Sequence, residues 1–441
     1  MKISGLFIIV ILAYSGIGYC ASNFVADEAA MSTQEKIKYE QQNADRFIKE
    51  QVDLLAHQDS NVRVTAAFTI DNFNPKPPII DNRERFALTA LTKLLKNDKS
   101  EDVRKTSAFT ISRIATPKAV DVLFAQYPVE KNEEVRVAMI TGSWIKDLPH
   151  ATDLYLLGIK DSNQTAQHHS AFKLGKIKES YGKEGFGERY QEVVNALLGL
   201  ARNKMREEAR TGALRALKWF PELKEQSVPI LIANLETDDR RIRKRALESL
   251  GQLRAKQALP LILKDIKRSL DDKIPRYHFP SDLYLAAAYI GGKEITPILL
   301  EAAKKPDYVS RQLFVAFGQL ADPRSFDFIY QYVNKSPPRG LGNSTTTYQD
   351  AICALGNLGN TKAVPLLRKR LNDRDKDIAS SALVALTNLN ADKLNKYYDQ
   401  YRDSNKRVYG CWLKDFQPRI LPMKELIKSL ENTNMNTAAQ G

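Results

Sequence analysis

The sequence predicts an all-α solenoid built from roughly ten helical hairpins. Three observations carry that expectation. The chain of 441 residues is 43% hydrophobic and 27% charged, with few Gly and Pro, a composition that suits helices. One apolar frame recurs along its length. Residues that cap helices stand at a fixed offset ahead of most copies of that frame.

The frame is clearest in residues 99–124, 238–263 and 372–394. An aliphatic anchor (Val103, Ile242, Ile378) is followed at +4 by a small residue (Ser107, Ala246, Ala382). Aliphatic residues follow at +8 (Ile111, Leu250, Leu386) and at +11 (Ile114, Leu253, Leu389). These positions form one stripe of an α-helix, and the small residue lets a neighbouring helix come close. Further copies are anchored at Val62, Val135, Ala166, Ala209, Val309 and Thr347, with a degraded copy in residues 281–292. At −3 stand Asp59, Ser100, Asn132, Asn163, Asp239, Ser344 and Asp375, all N-cap types. The Val309 copy has Pro306 there instead. At +9 come Gly175, Gly251, Gly318 and Gly356, which suit either close packing or a helix C-terminus. A short break after each helix leads to a second apolar run. Each unit is therefore a helical hairpin that cannot bury its own stripe, and stacked neighbours supply the missing core.

The elements follow in order. Residues 1–21 read as a secretory signal peptide: Lys2, an apolar run near Leu6 to Leu12, then small residues. A membrane anchor is the alternative, although Ile3 to Tyr19 is short for a span. Lipid attachment at Cys20 is a third option, opposed by Tyr19 where a small residue is wanted. Residues 22–56 are expected to form an N-terminal capping helix region opened by the capping box Ser32-x-x-Glu35. The repeats occupy residues 57–393. Residues 394–430, more aromatic than the repeats, read as a C-terminal cap, and the polar residues 431–441 as a disordered tail. The expected compartment is the periplasm or the extracellular space. With only Cys353 and Cys411 left after cleavage, the chain is no disulfide scaffold. Cys353, among small residues on a helix, reads as a packing residue, and whether it pairs with Cys411 is open.

Residues 250–266 (LGQLRAKQALPLILKDI) and 355–371 (LGNLGNTKAVPLLRKRL) resemble the HEAT-like repeats also found in phycobilisome-lyase-related proteins. The resemblance spans about residues 40–395. It implies a right-handed α-solenoid of roughly ten HEAT-like helical hairpin repeats. It also implies that the Arg at +1 makes polar contacts to a neighbouring repeat. That Arg is present as Arg63, Arg104, Arg136, Arg210 and Arg243, and replaced by Gln167, Ser310, Tyr348 and Ala379, so a continuous ladder must be interrupted. The lyase activity in the family's name has no support at the level of residues.

Catalytic chemistry finds no foothold. None of His57, His150, His168, His169 and His278 is followed by Glu, and the adjacent His168 and His169 diverge by about 100° on a helix. No G-x-S-x-G elbow or phosphate loop occurs; residues 182–188 and 340–347 are glycine-containing connections. No catalytic residue, metal or cofactor is therefore expected. Surfaces remain. The longer connections 72–82, 178–189, 271–281 and 334–347 are where a solenoid places binding loops. The third carries Arg276, Tyr277 and Phe279, a cation beside two rings, which could grip a partner or fold over the solenoid edge. Ahead of the core stripe at 242–253 stand Arg240, Arg241, Lys244 and Arg245, which the repeat does not require. They are candidates for an anion site or an ordinary solvated surface. The net charge of +14 favours anionic partners and solubility without deciding the fold. The expected function is an exported, non-catalytic scaffold that binds a protein partner on a solenoid surface. The alternative is a receptor for an anionic envelope polymer or lipid head group, using a basic patch. Nucleic acid is disfavoured by the export signal.

Overall fold

The computed structural model describes residues 32–73, 75, 77–142, 149–270, 281–335 and 343–389. The signal segment, the proposed C-terminal cap and tail, and the candidates Arg276, Tyr277 and Phe279 lie outside these. Among the described residues there are twenty α-helices and no strand. No helix among them is long and apolar enough to cross a membrane.

The chain divides into two compact units, residues 1–220 and 221–441. The first holds α1 (Thr33–Leu54), α2 (Ser60–Asn72), α3 (Arg83–Asn97), α4 (Glu101–Ile114) and α5 (Pro117–Gln126). It continues with α6 (Glu133–Thr141), α7 (Thr152–Ile159), α8 (Gln164–Tyr181), α9 (Tyr190–Arg202) and α10 (Glu207–Ala216). Here α2, α4, α6, α8 and α10 pack successively in one row, while α1, α3, α5, α7 and α9 form a second. The second unit holds α11 (Lys224–Ala233), α12 (Arg240–Gln252), α13 (Leu259–Ser269), α14 (Ser281–Ile290) and α15 (Ile295–Ala303). It closes with α16 (Arg311–Leu320), α17 (Phe326–Asn334), α18 (Asn343–Asn357), α19 (Val364–Leu371) and α20 (Lys376–Leu389). Its even-numbered helices again pack in succession. Both units are all-α solenoid segments.

The frame explains this packing. Anchors Val103, Val135, Ala166, Ala209 and Ile242 are fully buried, as are Ser107, Ala246 and Ala382 at +4. Burying each Leu or Ile stabilises the fold by about 1.5–3 kcal/mol. The caps are made as their chemistry requires. Ser32 accepts from the Glu35 N–H while the Glu35 carboxylate takes the Ser32 N–H at 2.8 Å, closing the capping box. Asn132, Asn163, Asp239 and Asp375 each accept a first-turn N–H. Ser100 occupies its cap position without a side-chain bond.

Two copies depart from expectation. Helix α16 starts a turn late: Ser310, not the −3 residue, accepts from Leu313 N–H at 3.3 Å. Pro306 opens a short 3₁₀ turn through Tyr308, so the anchor Val309 is only half-buried and lies outside the helix. Helix α18 begins at Asn343, so Ser344 is inside it rather than at its cap.

The frame glycines serve close packing. A Cβ on Gly251 or Gly318 would lie 3.2 Å from the Cα of Ala286 or Ala354, and one on Gly356 would lie 2.5 Å from that of Ala385. Gly175 faces Trp219 and Ala216 of the same unit. None of these four has a positive φ. The left-handed turns fall to other residues: Ala115, Arg254 and Ala321, and glycines outside the frame such as Gly182, Gly291 and Gly359. At Ala115 and Ala321 the next helical segment starts at once, capped by Thr116 before Pro117 and by Asp322 before Pro323. Cys353 is buried in α18 and disulfide-bonded, with its partner outside the described residues.

Candidate functional site

The four extra cations sit at the start of α12, and acids meet three of them. Asp239 caps the helix and pairs with Arg241 at 3.0 Å. Lys244 reaches Asp282 of α14 at 3.7 Å, and Arg245 pairs with Glu248 at 2.9 Å. Arg240 is exposed, and no acid pairs with it among the described residues. The Asp239 carboxyl is pushed up by partial burial, but bonds from Arg241 and from two backbone N–H groups outweigh this and hold it below the usual range. The patch is basic in sequence and largely neutralised in place.

The Arg at +1 forms a directional ladder through the first unit. Arg63 donates from Nε and Nη2 to Asp98 at 2.8 and 2.9 Å, while Nη1 donates to the His57 and Gln58 carbonyls. Arg104 repeats this with Glu130 and with the Asp98 and Lys99 carbonyls. Arg136 repeats it with Asp161 and with the Glu130 and Lys131 carbonyls. Each Arg thus holds its own entry turn and the acid five residues before the next anchor. That acid also accepts the N–H of the next turn: Ser100 on Asp98, Asn132 on Glu130 and Asn163 on Asp161. Asp161 takes the Tyr127 hydroxyl as well, at 2.7 Å. Burial raises its pKa, yet Arg136, the Asn163 N–H and Tyr127 together bring it below the ordinary value.

The ladder changes hands at the expected interruption. Gln167 stands in place of Arg and donates to the Ile159 carbonyl. Arg206, from the following hairpin, supplies the missing guanidinium. It donates to the Ser162 carbonyl at 2.9 Å and to Gln167 Oε1 at 3.1 Å. In the second unit Tyr348 fills the same position, and its hydroxyl donates to the Val333 carbonyl at 2.5 Å. Arg210 is buried, and its Nε lacks a hydrogen-bond partner among the described residues.

A groove of about 470 Å³ crosses α2, α4 and α6 in the first unit. Val64, Phe68, Phe109 and Val137 give it an apolar lining, with Asp102 and Glu134 at its edge. Phe68 is 56% exposed, the most exposed aromatic side chain described. Sequence reasoning overlooked this surface. Its signal was a column at +6 from the anchors: Phe68, Phe109, Thr141 and Phe172. The repeat frame leaves that position outside its buried stripe. Phe172 lies beneath the Arg215 guanidinium at 4.2 Å.

His168 and His169 have structural surroundings. His168 Nδ1 lies 3.0 Å from the Glu208 carbonyl and 2.8 Å from Thr211 Oγ1, linking α8 to α10. His169 is pushed down to about 4 by burial and by the neighbouring His168. Among the described residues no group of three or more His, Cys, Asp or Glu is placed to hold a metal ion.

The family model for HEAT repeats matches residues 48–142, 153–251 and 194–274, and that for PBS lyase HEAT-like repeats matches residues 348–373. No curated protein matches the chain in sequence. Among solved structures, importin beta in an ammonium sulfate condition is similar at a TM-score of 0.54 and 14% identity, over 84% of this chain and 55% of that one. Yeast importin-beta (Kap95p) is similar at 0.50 and 13%, over 81% and 59%. This chain thus spans a little over half the length of those importins. The CpcE and CpcF complex of phycocyanin lyase from Nostoc aligns at 0.39 and 21%, over 58% of this chain and 91% of that one. At these identities the likeness to the importins is one of fold.

Proposed function

The chain belongs to the HEAT-repeat family, and from that premise we propose that it is a non-catalytic scaffold that binds a protein partner on a solenoid surface. The observation that carries the proposal is the apolar groove across α2, α4 and α6, with Phe68 standing exposed at its mouth. Repeat arrays build continuous surfaces from equivalent positions, and a bulky aromatic in a shallow groove is the usual anchor of a protein contact. The start of α12 offers less to an anionic polymer or head group, because Asp239, Asp282 and Glu248 already meet three of its four extra cations.

Export is part of the proposal. Its support is the order of charge, apolar run and small residues in residues 1–21. N-terminal mass analysis of the protein from cells tests it: a start near residue 22 is expected, and an intact Met1 in the cytoplasm overturns it. In-cell crosslinking followed by mass spectrometry tests the scaffold. Crosslinks from one partner protein to the even-numbered helices of the first unit are expected. Turnover of a small substrate, abolished by one substitution that leaves fold and binding intact, would overturn it.

A further inference from the structure

The groove in the first unit has a chemical character that narrows its partner. At −2 and −1 from the anchors, α4 carries Glu101 and Asp102, and α6 carries Glu133 and Glu134. These acids stand in a chain whose net charge is +14. Acids in a first helical turn gain from the helix dipole, which explains their presence without neutralising them. Their surroundings leave most of that charge in place. Glu101 accepts from the Asn132 amide at 2.6 Å, and Glu133 from the Asn163 amide at 3.2 Å, both neutral donors. Glu134 pairs with Lys105 at 3.0 Å, and Glu133 lies within electrostatic reach of Arg136, whose hydrogen bonds go to Asp161. Asp102 is exposed and has no basic partner among the described residues. The nearby guanidiniums of Arg104 and Arg113 are committed to Glu130 and Asp71. Of the four carboxylates, Asp102 and Glu134 line the apolar cleft together with Lys105; Lys105 pairs with Glu134, and Asp102 is left without a cation of its own.

We propose, resting on the protein-scaffold reading above, that this groove takes a partner segment with one bulky apolar side chain flanked by Lys or Arg. The apolar side chain seats among Val64, Phe68, Phe109 and Val137. The flanking cations face Asp102 and the acids beside it. Most of the pairing is exposed, so it steers and orients the segment and weakens with salt. The aromatic contact supplies the anchor.

Fluorescence anisotropy on the full chain tests this with three labelled octapeptides. One has Phe-Leu between pairs of Lys, the second has the Lys changed to Glu, and the third has Phe-Leu changed to Ala-Ala. The first is expected to bind at least tenfold more tightly than either of the others, and less tightly in high salt. Phe68→Ala and Asp102→Lys should each reduce that binding tenfold or more. Both side chains are exposed, so both variants should keep the wild-type circular dichroism. Equal binding of the Glu peptide, no binding of the Lys peptide, or full binding by both variants overturns the inference. The scaffold reading has a separate readout: a partner crosslinked in cells that stays attached to Phe68→Ala keeps the scaffold and removes this groove as its site.

Discussion

Asp161→Ala should unfold part of the first unit at a cost that the ladder geometry sets. The Asp161 side chain is 3% exposed and accepts from Arg136 Nε at 2.7 Å and Nη2 at 3.2 Å, from Tyr127 Oη at 2.7 Å and from Asn163 N–H at 2.8 Å. Removing one member of a buried ion pair costs about 3–5 kcal/mol. Arg136 keeps two carbonyl acceptors, Glu130 and Lys131, and is 14% exposed, so part of its charge stays solvated. Tyr127 is buried and loses its acceptor, a loss of about 1–3 kcal/mol within that total. The expected cost is therefore about 3 kcal/mol. Urea unfolding measures it, and hydrogen exchange should place the lost protection in α5 to α8. Tyr127→Phe alone should cost about 1 kcal/mol, and little when added to Asp161→Ala. The pH dependence has a definite sign. The folded pKa of Asp161 is lowered, so its contribution is complete above the unfolded value of about 3.9 and is lost as pH falls through the folded value. The gap between wild type and variant should hold from neutral pH to about 4 and close below it. A cost under about 1 kcal/mol, or a gap that widens in acid, refutes the role given to this carboxylate.

Three further outcomes are expected. Gly212→Ala places a Cβ 2.3 Å from the His168 carbonyl oxygen, so thermal denaturation should show a loss of about 1–3 kcal/mol or more; Gly199→Ala, with nothing within 4 Å, should gain about 0.5–1 kcal/mol. Burial raises Asp350 to about 6 despite its 2.5 Å pair with Arg311, so its folded form is favoured when protonated, and that benefit disappears as pH rises through about 6. Wild type should lose about 2 kcal/mol relative to Asp350→Asn between pH 4 and pH 7 in urea titrations, and parallel stability curves would contradict the assignment. Alkylation in denaturant without reductant should leave Cys353 unlabelled by mass spectrometry, and labelling should appear only after reduction.

The architecture was legible because a helix buries one stripe and a solenoid repeats it. Val103, Ile242 and Ile378 are core anchors, and Asp239 and Asn163 are caps, by positions that can be counted in the chain. Counting failed where local chemistry outranked the pattern. Ser310 captured the helix start that the spacing assigned near Val309, because Pro306 favours a turn there. The choice at Gly251 between packing and chain reversal needed the position of Ala286 on another helix. The cations of α12 were visible, whereas their neutralisation depends partly on Asp282, far along the chain. The disulfide at Cys353 left no trace in spacing. The groove at Phe68 was missed because attention to the buried stripe passes over the +6 column beside it.

The ladder has a consequence for how such a chain can change length. The three rungs of Arg63, Arg104 and Arg136 each join a guanidinium from one hairpin to an acid ahead of the next, at the same offsets each time. The broken bonds at any cut are therefore the complements of those at any other. Excising residues 98–129 would bring Arg63 opposite Glu130, which now serves Arg104 from the same register. Glu130 and Asp161 already show that the socket accepts acids differing by one methylene. The rung would be remade without stranding Arg63 or Glu130, whereas Asp71, 3% exposed, would lose its partner Arg113 with the excised hairpin, so the ladder is spliceable here and the core beside it is not.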